Sequence, residues 1–331
     1  MPTKLTTDVL GLDNATQAVD LIVGTGDPNG AVTAVTGSLF FDATTPGLYQ
    51  NDAGGTVWTA VGGGGGGWPT STGTDYAGRA YEQALVTAVG GNIVLSPNGT
   101  GAIVAQVPDG TAAGGNSRGD YAVDLQRDRQ SATQVASGNW STVGGGRQNT
   151  ASGYYSTVGG GRSNTASGRY STVGGGFRGL ADHYGESAHA SGRFSADGDA
   201  QYSRMVLRRE SPDATPVELS ADGAAPTGTD RLSLADNSCY KFRVDLAARE
   251  NATGDTAWWE ITGCVKRGSG AATTALVGST YTTNDGDAGA AAWAVAVTAD
   301  TVNGALAVTV TGEALHTIRW VATIHSTKVA G

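Results

Sequence analysis

Apolar and polar positions along the chain follow two different rhythms. From Ala136 to Leu180 one sentence of 15 residues is written three times: ASGNWSTVGGGRQNT, ASGYYSTVGGGRSNT and ASGRYSTVGGGFRGL. Ala136, Ala151 and Ala166 form one column, Val143, Val158 and Val173 a second, and Asn149 and Asn164 a third. A fixed period makes each repeat a unit that buries its apolar side only against its neighbours. This period is too short for helical repeats, and Gly, Ser, Thr and Val are weak helix formers. The repeats therefore predict a parallel β-solenoid, in which each coil of short strands climbs by one strand spacing of about 4.8 Å. Ala and Ser suit its narrow interior, the Gly triplets suit turns with positive φ, and Asn149 and Asn164 are expected to stack as a side-chain amide ladder. One Val and one Ala per coil bury little apolar area. Several chains packed side by side are expected for that reason.

The second rhythm begins near Met205. VELS, RLSLA, YKFRVDLAA, AWWEITGCVKRG, AAWAVAVTAD, GALAVTVTG and HTIRWVATIH are short alternating runs separated by turn residues. Such spacing predicts an antiparallel β-sandwich. In the last run Ile318, Trp320, Ala322 and Ile324 share one face, so that strand has one buried side. Adjacent strand residues point to opposite faces, so one of Trp258 and Trp259 is expected to face away from the core. An outward Trp stacks on a sugar ring or lies between subunits; both readings are open, with the interface favoured. Cys239 and Cys264 fall on runs that pair as a hairpin around NATGD, where a reduced, packed thiol pair is favoured over a disulfide. Before the repeats, GSLFFDATTPGLYQNDAGGTVWTAV reads as a small hairpin unit, and Gly62–Gly67 as a swivel lacking the GK[ST] ending of a phosphate loop. IVL and AIVAQV are expected to be strands around the turn SPNGTG.

Composition narrows the functional classes. Of 331 residues 52 are Gly, 15% are charged and 5 are Phe, which describes an extended β-rich design. The net charge of -9 argues against nucleic acid as a partner, because phosphate contacts need clustered Lys and Arg. The start of the chain lacks a basic region followed by an apolar stretch, and no segment approaches a membrane span, so no membrane insertion is expected. No cofactor is implied. His183 and His189, with Asp182 and Glu186 close by, invite an axial metal between chains, against the commoner reading of solvent-facing or hydrogen-bonded histidines. The acidic loop Thr282–Gly289 lacks complete calcium-ligand spacing and reads as a turn. Trp258, Trp259, Asp285 and Asp287 are the candidates for receptor contact. The acids are scattered over turns, so no enzyme is expected; a depolymerase would need two carboxylates in one groove.

The segment GESAHASG (Gly185 to Gly192) resembles the GxxSxAxG pattern of trimeric autotransporter adhesin heads, and the ASGxYS and VGGGRxNT half-repeats resemble those of bacteriophage tail-fibre proteins. The lead-in from Asn92 to Gly138 and the junction GDAQYSRMVLRRESPDATPVELSADG are similar to segments flanking such repeats in phage fibres. The resemblance covers about a third of the chain. It implies an all-β homotrimeric fibre with an N-terminal β-hairpin module, a central parallel β-solenoid and a C-terminal antiparallel β-sandwich. The expected organisation is an attachment arm at 1–26, the hairpin module at 27–61, a Gly-rich linker at 62–76, a lead-in at 77–135, the solenoid at 136–203 and the sandwich at 204–331. The implied role is a virion tail fibre, assembled in host cytoplasm, that docks on a phage tail or baseplate protein by its N-terminal region. Its far end would meet host cell-surface polysaccharide or protein. A head fibre or capsid decoration protein and a polysaccharide depolymerase are the alternatives.

Overall fold

The computed structural model describes residues 99–278 and 280–331, together with 3–5, 21–24, 33, 38–42, 47–51, 58–60, 71–74 and 80–83. The Gly62–Gly67 run and the IVL segment at 93–95 lie outside these residues. Two compact units divide the chain, Met1–Val94 and Leu95–Gly331. In the first, β1 (Thr3–Leu5), β2 (Leu21–Gly24), β3 (Leu39–Asp42), β4 (Gly47–Asn51) and β5 (Trp58–Ala60) form one sheet in chain order. Only the β2–β3 pair is parallel. Among the described residues Ile22 and Phe40 are buried in it, with the Tyr49 ring edge-on to Phe40 at 6.1 Å. A separate antiparallel pair joins β6 (Ser71–Thr74) to β7 (Ala80–Gln83).

The second unit opens as a parallel β-solenoid. Its principal wall stacks β8 (Ile103–Val104), β9 (Val123–Asp124), β10 (Thr142–Val143), β12 (Thr157–Val158), β14 (Thr172–Phe177) and β16 (Ser187–Ser191), five steps in all. A second wall stacks β11 (Thr150–Ala151), β13 (Thr165–Ala166) and β15 (Leu180–Ala181). Register follows the repeat residue for residue: Val143 lies against Val158 and Val158 against Val173, while Ala151 lies against Ala166 and Ala166 against Ala181. These columns, with Ala136, are fully buried inside a single chain. Backbone bonds tie each coil to the next, as in Thr142 N–H to the Ser156 carbonyl at 2.9 Å and Thr150 N–H to the Asn164 carbonyl at 2.8 Å.

The Asn column differs in detail from the expected amide ladder. The Asn149 side-chain oxygen accepts the backbone N–H of Asn164 at 3.0 Å, and that of Asn164 accepts the N–H of Gly179 at 2.8 Å. Their amide NH2 groups donate to glycine carbonyls of the same coil and the next, Gly145 and Gly161 for Asn149. The side chains thus bond to backbone rather than to each other, because the turn leaves backbone donors there that a buried coil must satisfy. Gln126 starts the column by accepting the Asn149 N–H at 2.8 Å.

Both ends of the solenoid are closed by charge. Below, successive strands are 19 and 20 residues apart (Val123 to Thr142, Ile103 to Val123), and the longer coils hold a buried cluster. The Asp124 carboxylate accepts from Arg118 Nε at 2.8 Å and Arg129 Nη2 at 3.0 Å, all three side chains being buried. Backbone carbonyls of Gly114, Asn116, Gln126 and Gln134 take further guanidinium hydrogens. These bonds offset much of the cost of burying the three charges. Above, β16 pairs antiparallel with β17 (Ala200–Ser211), so the solenoid wall runs on into an antiparallel sheet.

That sheet continues through β26 (Ile318–Ala330), β20 (Ser238–Glu250) and β21 (Thr256–Arg267), with β22 (Ala275–Leu276) and β23 (Tyr281–Gly286) both on β21. A second antiparallel sheet groups β18 (Val217–Glu218), β19 (Leu232–Ser233) and β24 (Ala294–Asp300) around β25 (Ala305–Thr311). The two sheets share one core, where Met205, Leu207, Phe242, Val244, Ile261, Trp320 and Ile324 meet Leu232, Leu306, Val308 and Val310. Ile318, Trp320, Ala322 and Ile324 all point into it.

Glycine is required where coil meets coil. A Cβ on Gly138, Gly153 or Gly168 would lie 2.1 Å from a carbonyl oxygen of the coil above, whereas one on Gly160 meets nothing. Gly153→Ala is therefore expected to lower stability by about 3 kcal/mol or more, the upper range for overpacking against backbone that cannot move aside. Gly160→Ala should be near neutral. Urea unfolding of both variants checks this, and equal midpoints would contradict the stacking register.

Candidate functional site

The repeat positions preceding each Ser-Thr-Val build a surface feature from a strained turn. Ser156 N–H returns to the Gly153 carbonyl at 3.1 Å, and Ser141 and Ser171 repeat the bond to Gly138 and Gly168. The third residue of each turn has positive φ: Trp140 at 54°, Tyr155 at 58° and Tyr170 at 59°, preceded by Tyr121 at 57°. Gly or Asn ordinarily fills such a place, and a bulky residue there costs about 1 kcal/mol or more. Four aromatic residues in succession hold it.

Their rings explain the retention. Tyr121 stacks on Trp140 at 5.4 Å, Trp140 on Tyr155 at 5.0 Å and Tyr155 on Tyr170 at 5.1 Å, with interplanar angles of 12°, 12° and 6°. The spacing matches the climb of the coil, so register delivers the stacking; each pair contributes about 0.5–1.5 kcal/mol beyond burial, enough to offset the turn. Tyr154 lies edge-on to Trp140 and Tyr155, and Tyr184 edge-on to Tyr170. The Arg169 guanidinium lies 5.8 Å from the Tyr154 ring and 5.0 Å from Tyr170, to whose hydroxyl it donates at 3.2 Å. Where stacking ends the column reverts to Gly185, φ 64°. The four stacked residues and Tyr154 remain 40–48% exposed. Because the ladder rings cover each other's faces, solvent meets mainly edges, hydroxyls and the indole N–H. A flat sugar finds no open ring face along the middle of this seam. The geometry suits edge-on packing against another surface.

The residues singled out from sequence fall in different places. Trp258 is 46% exposed on the outer face of the large sheet, opposite Asp285 of the neighbouring strand, whereas Trp259 is 6% exposed and packs on Trp320 at 5.7 Å. Asp285 accepts its neighbour Gly286 N–H, and Asp287 accepts the N–H and hydroxyl of Thr256 at 2.8 and 3.0 Å. Trp258 and Asp285 are thus brought together, and Asp287 clamps the start of β21. Cys239 and Cys264 are free thiols with Sγ atoms 2.8 Å apart on adjacent strands. Burial and the neighbouring Cys239 push the Cys264 thiol up to about 11, away from nucleophilic use. The aromatic ladder was missed, although its signal was in the repeat itself: Trp140, Tyr155 and Tyr170 stand at one position of the 15-residue period.

Asp182, His183 and Glu186 form the one group among the described residues whose side chains could converge on a metal. Their hydrogen bonds assign another role. The repeat position of Gly168 becomes His183 where no further coil lies above, and the position of Ser171 becomes Glu186. His183 Nδ1 lies 2.8 Å from Asp182 Oδ1 and 2.9 Å from Glu186 Oε2, and Nε2 lies 3.0 Å from the Ser233 carbonyl. All three partners only accept, so both ring nitrogens carry hydrogen and neither offers a lone pair to a metal. Burial opposes this charge, but the bonds and charges of the two carboxylates outweigh it and raise the pKa of His183 from 6.5 to about 10. The imidazolium ties the last coil to the two-sheet domain. His189 is exposed.

No protein-family model matches the chain, and no curated protein matches it. Among solved structures it is similar to the tailspike protein gp49 from Acinetobacter baumannii bacteriophage Fri1, a capsular polysaccharide depolymerase. Identity is 11% and the TM-score 0.22, over 70% of this chain and 46% of that one. It is also similar to the Acinetobacter baumannii phage AM24 tailspike protein, at 9% identity and a TM-score of 0.20, over 64% of this chain and 41% of that one. The chain spans less than half the length of either.

Because folding raises the His183 pKa, its clamp contributes stability fully below pH 6.5, and that contribution is lost as pH rises through about 10. The stability difference between the native protein and His183→Gln should shrink over that window. Urea midpoints measured across it test the point; a difference that grows with pH would contradict the imidazolium.

Proposed function

We propose that this chain is a fibre protein of a bacteriophage particle: a homotrimer that docks on a tail or baseplate protein through its N-terminal region. Its terminal two-sheet domain, a β-sandwich in this reading, is turned towards polysaccharide or protein on the host surface. The observation that carries the reading is the strained aromatic seam, renewed on successive coils and left exposed on a single chain. In the fibre this seam lies between neighbouring chains, where its edges and Arg169 meet a partner surface. The tail-fibre character of the repeats supports the same assignment. Three copies per fibre turn weak single contacts into lasting attachment through avidity.

Light scattering tests the assembly. The native protein is expected near 100 kDa, about three times the 33.3 kDa chain. A variant carrying Trp140→Gly, Tyr155→Gly and Tyr170→Gly removes the seam while keeping a residue at ease with positive φ. It should keep its β circular dichroism and run as a single chain, slightly below the native chain's 33.3 kDa. A native monomer would overturn the fibre reading. Release of reducing ends from host polysaccharide incubated with the protein would replace the binding role with that of a depolymerase.

A further inference from the structure

The outer face of the large sheet carries a concentration of positive charge that the overall charge of -9 does not foreshadow. Cross-strand register sets Tyr202, Thr327 and Lys241 in one row and Arg204, His325 and Arg243 in the next. Between them lies an open cavity of about 220 Å³ lined by Tyr202, Lys241, Arg243, His325 and Thr327. Every lining side chain is polar, and none is acidic.

Hydrogen bonds and ion pairs hold Tyr202, His325 and Arg243 in place. The Tyr202 hydroxyl lies 2.7 Å from His325 Nδ1, and His325 Nε2 lies 3.3 Å from Asp245 Oδ2. A carboxylate accepts, so Nε2 carries the hydrogen towards Asp245, while Nδ1 and the Tyr202 hydroxyl share the second hydrogen bond. Arg243 is fixed on the same carboxylate oxygen by Nε at 3.1 Å and Nη2 at 2.9 Å, which leaves Nη1 outside that pair. Among the described residues no ion pair engages Lys241 or Arg204. Asp245 is shared by Arg243 and His325, with Glu260 opposite it on β21, while Lys241 and Arg204 have no carboxylate in their own rows. Lys241 and Arg243 on β20 face Arg204 on β17 across β26; like charges left unpaired repel, and a bound anion relieves that repulsion.

We infer that this cavity binds the anionic group of an acidic saccharide. Lys241 and Arg243 meet the carboxylate of a uronic-acid unit, with Arg204 beside them. The hydroxyls of Tyr202 and Thr327 serve the sugar hydroxyls, and the half-exposed Tyr202 ring flanks the sugar. A cavity of this size exceeds what a single inorganic anion fills, and its hydroxyl lining suits a polyhydroxy ligand. The inference rests on the proposed surface-binding role and names its ligand class.

Titration calorimetry on the full chain tests it, with a trisaccharide of galacturonic acid, its carboxyl-reduced counterpart and inorganic phosphate as probes. The acidic trisaccharide should bind and the reduced one should not. Lys241→Ala should weaken binding roughly tenfold or more, the scale of a lost charged hydrogen bond. Arg249→Ala, on the same face outside the cavity, should leave it unchanged. Equal binding of the reduced sugar, phosphate competing as well as the trisaccharide, no binding of the acidic probe, or indifference to Lys241→Ala would each overturn the assignment. Light scattering on the same sample separates the two claims. A trimer that ignores the acidic probe sinks the pocket alone, and a monomer that binds it sinks the fibre reading alone.

Discussion

The structure depends on one constraint: every coil of the solenoid must set its backbone donors and acceptors one strand spacing above those of the coil before. Once that ladder forms, like residues are forced over like. Val143, Val158 and Val173 fill one interior column, and Gly138, Gly153 and Gly168 sit so near the carbonyls above that a methyl group has no room. The Asn column satisfies the backbone donors that the turns expose, each side chain serving the coil above it. Sequence repetition is here a direct consequence of backbone hydrogen bonding in a space too narrow for variety.

A stack of identical coils has no natural end, and both ends are rewritten. At the lower end longer coils make room for Arg118 and Arg129 around Asp124, so the stack begins on a buried ionic cluster. At the upper end the Gly and Ser of the repeat become His183 and Glu186, because no following coil is there to collide with them. Their ion pair reaches Ser233 of the two-sheet domain, while β16 hands the wall to β17 by changing from parallel to antiparallel pairing. The transition from repeat to domain is thus carried by one continuous sheet and one buried charge.

The outside of the coil shows the same register put to another use. Rings at Tyr121, Trp140, Tyr155 and Tyr170 occupy backbone positions that glycine would fill without strain, and their stacking compensates. That feature only breaks even within one chain, yet it recurs on successive coils, and the proposed contact between chains rests on this recurrence. The large sheet adds a second exposed surface, where alternation leaves Trp258 with Asp285 and, further along the same face, the basic cavity around Lys241 and Arg243.

The repeat period, the strand rhythm and the interior columns were legible in sequence, since a parallel stack writes its register directly into residue spacing. The inward set Ile318, Trp320, Ala322 and Ile324 was legible for the same reason, strand alternation being local. What the Asn column bonds to was not, because a spacing shows which residues align but not which partner lies nearest. The aromatic ladder was half legible: Trp140, Tyr155 and Tyr170 share a repeat position, but Tyr121 joins them from a longer coil outside the period. For His183 the hydrogen-bonded reading was the favoured one over a metal, but its partner was not legible: Ser233, fifty residues on, supplies the acceptor that assigns the second ring hydrogen. Only the tertiary structure could bring Tyr202, Lys241, Arg243 and His325 to one cavity, because antiparallel pairing of three distant strands sets their rows. Local periodicity therefore determined the coil and its interior, whereas the caps and surface sites were decided by long-range pairing that no local pattern encodes.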